Sequence, residues 1–219
     1  MRRVTQLFVT VLTTGALVLT FALPADALTL VGNGKANTLK GKGGNDTLKG
    51  KGGNDTLKGG GGNDKAYGGG GDDFIHGGTG NDQAVGGSGD DVIKAVDGND
   101  TIDGGTGNDK VQGGDGNDDV VGGDGNDRLD GGTGDDVLDD GPGNDRLSAD
   151  EGNDVIHVGP GRDIVFGESG RNTVYLLNDG DRDEVYCGEN DNDRDDVLIL
   201  VGGRDPADYW NFCGTVRVQ

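Results

Sequence analysis

The chain has 219 residues, a formal charge of −21, 48 glycines, five phenylalanines and one tryptophan. So few large apolar side chains exclude an ordinary globular core, and a chain of this composition should need a ligand to fold. The acidity argues against nucleic acid or an anionic membrane surface as a direct partner, because either would be repelled.

Residues 1–27 read as a secretory signal. Arg2 and Arg3 precede an apolar run over residues 7–23, and Ala25-Asp26-Ala27 supplies a small-x-small cleavage site. The run is short and carries Thr10, Thr13, Thr14 and Thr20, which argues against an uncleaved anchor. The mature chain is expected to begin at Leu28, to be secreted and extracellular, and to insert in no membrane after cleavage. Residues 28–40 form a worn first copy of the unit that follows, with Asn37 in the acidic place and Leu39 in the apolar one.

From residue 41 to about 175 a nine-residue unit repeats, as in Gly77-Gly-Thr-Gly-Asn-Asp-Gln-Ala-Val85. Its sixth place is Asp46, Asp55, Asp64, Asp73, Asp82, Asp91, Asp100, Asp109, Asp118, Asp127, Asp136, Asp145, Asp154 and Asp163 without a break. The fourth place is Gly in every copy from Gly44 to Gly170, and the eighth is aliphatic from Leu48 to Val174. A period of nine excludes a long amphipathic helix, which repeats its apolar residues at three and four. Places one to six are mostly Gly, Asn and Asp, which make tight turns, and places seven to nine alternate polar, aliphatic, polar. Each copy therefore reads as a turn and a three-residue strand. Such a strand cannot fold alone, so copies must stack, and two per coil give two parallel sheets with the eighth residues between them. Stacking brings the Asp of every second copy to about 4.8 Å. Carboxylates that close repel by roughly 0.9 kcal/mol even at a dielectric of about 80. A cation is expected between them.

The unit resembles the GGxGxDxUx nonapeptide of the repeats-in-toxin (RTX), or hemolysin-type, family, where U is aliphatic. The resemblance implies an all-β fold: a parallel β-roll, a right-handed β-solenoid with two nonapeptides per coil. It also implies multiple Ca²⁺ ions held by the fourteen Asp carboxylates and by carbonyls freed at Gly44, Gly53, Gly62 and their equivalents. Hard oxygen ligands suit Ca²⁺ better than a transition metal. Places one and two lose glycine at Ala95-Val96, Asp140, Ala149-Asp150 and Val158, so ion binding in those copies is an open question. Many members leave the cell through a C-terminal export signal, whereas a cleavable N-terminal signal implies the general secretory route. Small secreted repeat proteins of actinobacteria combine the two features in a similar way.

Early coils carry Lys40, Lys42, Lys49, Lys51 and Lys58, read as charge balance beside the Asp rows, the alternative being a basic patch that meets an anionic cell-wall polymer. Ala66 and Ala84 fall one coil apart on one ladder and thin the core. His76 and His157 fall at the outward ninth place on opposite sheets. After Val174 the period fails, and residues 176–219 read as enlarged final coils closing the roll. Val197–Val201 is a buried strand candidate, with Tyr209, Trp210 and Phe212 available to cover the open end. Cys187 and Cys213, the only cysteines, are expected to form a disulfide, the alternatives being free thiols or a metal pair.

Three serines and two scattered histidines offer no catalytic arrangement, so no enzyme is expected. Two classes of function remain: a calcium-ordered structural module, or a recognition module whose strand faces meet an extracellular polysaccharide or protein. An auxiliary to a secreted enzyme is a variant of the second.

Overall fold

A computed structural model describes residues 8–10, 27–188, 195–203 and 206–219. Most of the expected signal lies outside the described residues, and so does the acidic stretch 189–194. All regular structure among the described residues is β. From Thr29–Val31 onward successive strands alternate between a 12-stranded and an 11-stranded sheet, apart from the short Ser169–Gly170, which stays on the sheet of Ile164–Phe166, and every pairing is parallel. Register is the direct proof of two repeats per coil: Thr101 pairs with Asp119 and Ile102 with Val120, a step of two nonapeptides. The chain is a parallel β-solenoid.

The eighth residues stack as expected. Leu48, Leu57, Ile75, Ile93, Leu129, Leu138, Leu147 and Ile156 are fully buried in two ladders between the sheets. Ala66 pairs with Ala84, and this ladder narrows there between Leu48 and Ile102.

The strands are longer than the alternation of places seven to nine implies. From Thr56–Gly61 to Arg128–Thr133 each spans six residues, places seven to nine and then one to three. Glycines at those places still carry N–H and C=O groups in line with the next coil, as in Gly105 paired with Gly123, so the ladder runs on and the turn shrinks to places four to six. Place one consequently faces inward. Where it carries a side chain, Ala95, Ala149 and Val158 join the core.

Place two is held at positive φ in most coils, by glycine and non-glycine residues alike. Gly78 has φ 127°, and Lys51, Val96, Asp150 and Glu168 adopt φ of 85°, 99°, 67° and 60° at the same place. A Cβ on Gly78 would lie 2.0 Å from the Gly60 carbonyl oxygen one coil earlier.

The coils continue past the last regular repeat. Glu184–Tyr186 and Tyr209–Asn211 extend one sheet, while Val197–Val201 and Thr215–Val218 extend the other. Cys187 and Cys213 are bonded, tying the penultimate coil to the last. Of the three aromatics expected over the open end, Trp210 packs against the core. Tyr209 instead stands outward, 45% exposed, because it occupies the seventh place of its coil. At the other end Thr29–Val31 and Thr38–Lys40 begin the two sheets, with Phe8–Thr10 paired to Thr29–Val31.

Candidate metal centre

Each turn delivers its sixth residue inward, so all fourteen predicted Asp side chains are only 1–5% exposed. The coils sort them into two rows. One runs through Asp46, Asp64, Asp82, Asp100, Asp118, Asp136 and Asp154, and the other through Asp55, Asp73, Asp91, Asp109, Asp127, Asp145 and Asp163.

Within a row the two carboxylate oxygens have different work. Oδ1 accepts the backbone N–H of the Asp one coil earlier, as Asp82 does from Asp64 at 2.7 Å and Asp100 from Asp82 at 2.6 Å. Oδ2 has no hydrogen-bond partner in thirteen of the fourteen, Asp46 being the exception because it accepts the Lys42 N–H. That oxygen converges with a backbone carbonyl from the next coil beside the place-one glycine. A Cβ on Gly59 would lie 2.3 Å from Asp64 Oδ2 and 2.6 Å from the Gly77 oxygen, and Gly50, Gly68, Gly86 and Gly113 repeat this arrangement. Glycine at place one keeps this oxygen-lined space open.

Buried carboxylates with one oxygen orphaned resist ionisation. Desolvation raises Asp82, Asp91, Asp136, Asp145 and Asp163 to about 7, with neighbouring carboxylates adding to the effect and the backbone N–H opposing it. Asp55, Asp100, Asp109 and Asp154 are raised to about 6, again chiefly by burial. Burial also raises Asp46, Asp64, Asp73, Asp118 and Asp127. Rows of orphaned carboxylate oxygens beside carbonyls fit a hard cation that prefers several oxygen ligands, which is the chemistry of Ca²⁺. Thiolate and imidazole are absent from these turns, so a soft transition metal has no ligand there.

Three carboxylates join this arrangement that the unbroken nine-residue count does not reach. Asp183 accepts the Asp163 N–H, and Asp196 accepts the Asn172 N–H, so both rows run on into the irregular coils. The Oδ2 of Asp183 is also buried without a hydrogen-bond partner. Both stand two residues before an inward aliphatic, Val185 and Leu198, which is the spacing of the repeat and the signal that marks them. Asn172 occupies one row as a neutral link: its Oδ1 accepts from Asp154 while its amide donates to the Gly167 and Cys187 carbonyls. The third is Asp140, at place one, fully buried and raised to about 9 by desolvation.

A family model of four consecutive RTX calcium-binding nonapeptide repeats matches nine overlapping windows that together span residues 31–182. That span is well over half of the chain. The chain belongs to the RTX calcium-binding nonapeptide repeat family. No curated protein matches it. RTX repeats bind calcium, and the many Asp-rich turns of this β-roll suit multiple Ca²⁺ ions. On the outer faces, Lys49 lies over Tyr67 and Lys58 over Phe74, so two of the early lysines rest on neighbouring rings. His76 and His157 stand on opposite sheets, and His157 stacks on Tyr175.

Proposed function

We propose that this RTX protein is a secreted, non-catalytic module that folds around Ca²⁺ and serves as an extracellular structural rod or binding platform. The ions are held by the fourteen row aspartates, with Asp183 and Asp196 continuing the rows at the C-terminal end. Residues 1–27 act as the secretory signal, 28–40 as a degenerate first repeat, 41–175 as the ion-binding roll and 176–219 as its closing region. The observation that carries this reading is the row of buried, unpartnered Oδ2 atoms beside inward carbonyls. Leaving those oxygens bare costs more than the fold can supply, and a divalent ion between coils satisfies two coils at once. The test is a calcium titration of the chain from residue 28, followed by far-UV circular dichroism and ion counting. A β spectrum that needs no calcium at neutral pH would overturn the proposal.

One observation favours recognition over a purely structural role. On the outer face near the C-terminal end, Arg146 lies over Phe166, which stacks on Tyr186 at 5.1 Å, with Tyr209 next at 5.9 Å. A stacked aromatic column at coil spacing that carries two tyrosine hydroxyls is an amphipathic stripe suited to an extracellular polysaccharide. Glycan-array binding that is lost on Tyr186→Ala supports that role. Absence of any glycan binding favours the rod.

A further inference from the structure

Asp140 departs from the repeat in a way that changes the chemistry of one turn. Elsewhere place one is glycine or, at Ala95, Ala149 and Val158, a buried aliphatic residue. Here it is a carboxylate with no exposure at all. The backbone explains how it fits. The regular strand Val137–Asp139 stops at place nine and Pro142 has no N–H to donate, yet residue 140 stays bonded to the coils on both sides, the Gly123 N–H to its carbonyl at 3.0 Å and its own N–H to the His157 carbonyl at 3.4 Å, so its side chain faces inward as place one does elsewhere.

The side chain meets two members of one row. One oxygen from each of Asp140, Asp145 and Asp163 lies within 4.8 Å of the others, and among the described residues no other three acidic, histidine or cysteine side chains come together this closely. Each Oδ1 is already committed. Asp140 accepts the Gly159 N–H at 2.7 Å, Asp145 the Asp127 N–H at 2.6 Å and Asp163 the Asp145 N–H at 2.8 Å. Each Oδ2 is buried with no partner. The ion pairs among the described residues, Arg171 with Asp195 and Arg182 with Glu184, involve none of the three.

From this geometry we infer that Asp140 joins the neighbouring row members Asp145 and Asp163 in a three-carboxylate cation site that holds the most tightly bound Ca²⁺ of the chain. The inference rests on the reading of the turns as calcium sites. A repeat turn offers carboxylates from the rows and neutral carbonyls; this one adds a third formal charge on the same coil boundary. Ligand charge count is one of the terms that set calcium affinity, and here it exceeds that of the regular turns. Burial of all three side chains also leaves little room for the retained waters that Mg²⁺ requires, so the site discriminates toward Ca²⁺ and lanthanide ions.

The experiment uses the chain from residue 28 loaded with Ca²⁺ and mixed rapidly with excess fluorescent chelator, so that ions are counted as they leave. One ion per chain is expected to dissociate at least about tenfold more slowly than the rest. Asp140→Asn keeps the acceptor for the Gly159 N–H while removing the charge, and it should abolish that slow phase. Asp140→Gly restores the residue of the repeat and should do the same, which decides the matter if the Asn variant does not fold. Asp119→Asn, an exposed strand carboxylate, should leave the phase in place. A wild-type chain with no such one-ion phase, or Asp140 variants that both retain it, overturns the inference while leaving the row sites intact. A chain that takes up no calcium at all overturns the row reading, and this site with it.

Discussion

Removing calcium at neutral pH should unfold the roll, and acid should restore it. Fifteen buried Oδ2 atoms have no hydrogen-bond partner, thirteen in the repeat rows and two at Asp140 and Asp183. An unsatisfied buried polar atom costs roughly 1–3 kcal/mol, so together these amount to tens of kcal/mol. Domain stability is only about 5–15 kcal/mol. The ionised, metal-free fold is therefore excluded. Protons can replace the ions in part: Asp82, Asp91, Asp136, Asp145 and Asp163 are raised to about 7 by desolvation, above the unfolded value of 3.8. A carboxyl whose folded value is raised takes up a proton on folding, so its contribution is complete below pH 3.8 and is lost as pH rises through about 7. In excess chelator the far-UV spectrum should show β structure near pH 4 and a disordered chain by pH 8. With saturating Ca²⁺ the chain should stay folded across this range, the ions holding the carboxylates at pH 8 and protons replacing them near pH 4. A folded spectrum in chelator at pH 8, or one independent of pH, would refute the reasoning.

Place two of the turn offers a paired test. Gly78→Ala forces a Cβ to within 2.0 Å of the Gly60 oxygen at φ 127° and should cost at least about 1–3 kcal/mol in calcium-saturated denaturation. Val96→Gly relieves a β-branched residue at φ 99° and should raise stability by about 1 kcal/mol in the same assay. Asp109→Ala removes the acceptor for the Asp91 N–H and a ligand in mid-row, so the calcium midpoint should rise, whereas exposed Asp119→Ala should leave it unchanged. Reducing Cys187–Cys213 opens a 26-residue loop and should cost about 3.5 kcal/mol on the chain-entropy relation. Because coils contact only their neighbours, hydrogen exchange should then speed up around Ile156 and Val165 before Leu48 and Leu57, and uniform loss along the roll would contradict it.

The nine-residue period was enough to determine the two-repeat coil, the aliphatic ladders from Leu48 to Val174 and the alternation of Asp46, Asp64 and Asp82 with Asp55, Asp73 and Asp91. In a solenoid each unit touches only the units beside it, so spacing along the chain translates directly into neighbours in space. That translation fails wherever backbone pairing, rather than side-chain pattern, decides. Six-residue strands could not be read from a three-residue alternation, because Gly104 to Thr106 and their equivalents carry no apolar signal and join the sheet through N–H and C=O groups alone. The division of labour between the two oxygens of each Asp also depends on where the preceding coil points its N–H. Irregular spacing hid Asp183 and Asp196, which rejoin the rows only after loops of different length bring them back into register. Asp140 reads in sequence as a lapsed glycine. Its meeting with Asp163 was decided by the inward turn of place one and by the coil stacked upon it, a contact that no count along a single repeat contains.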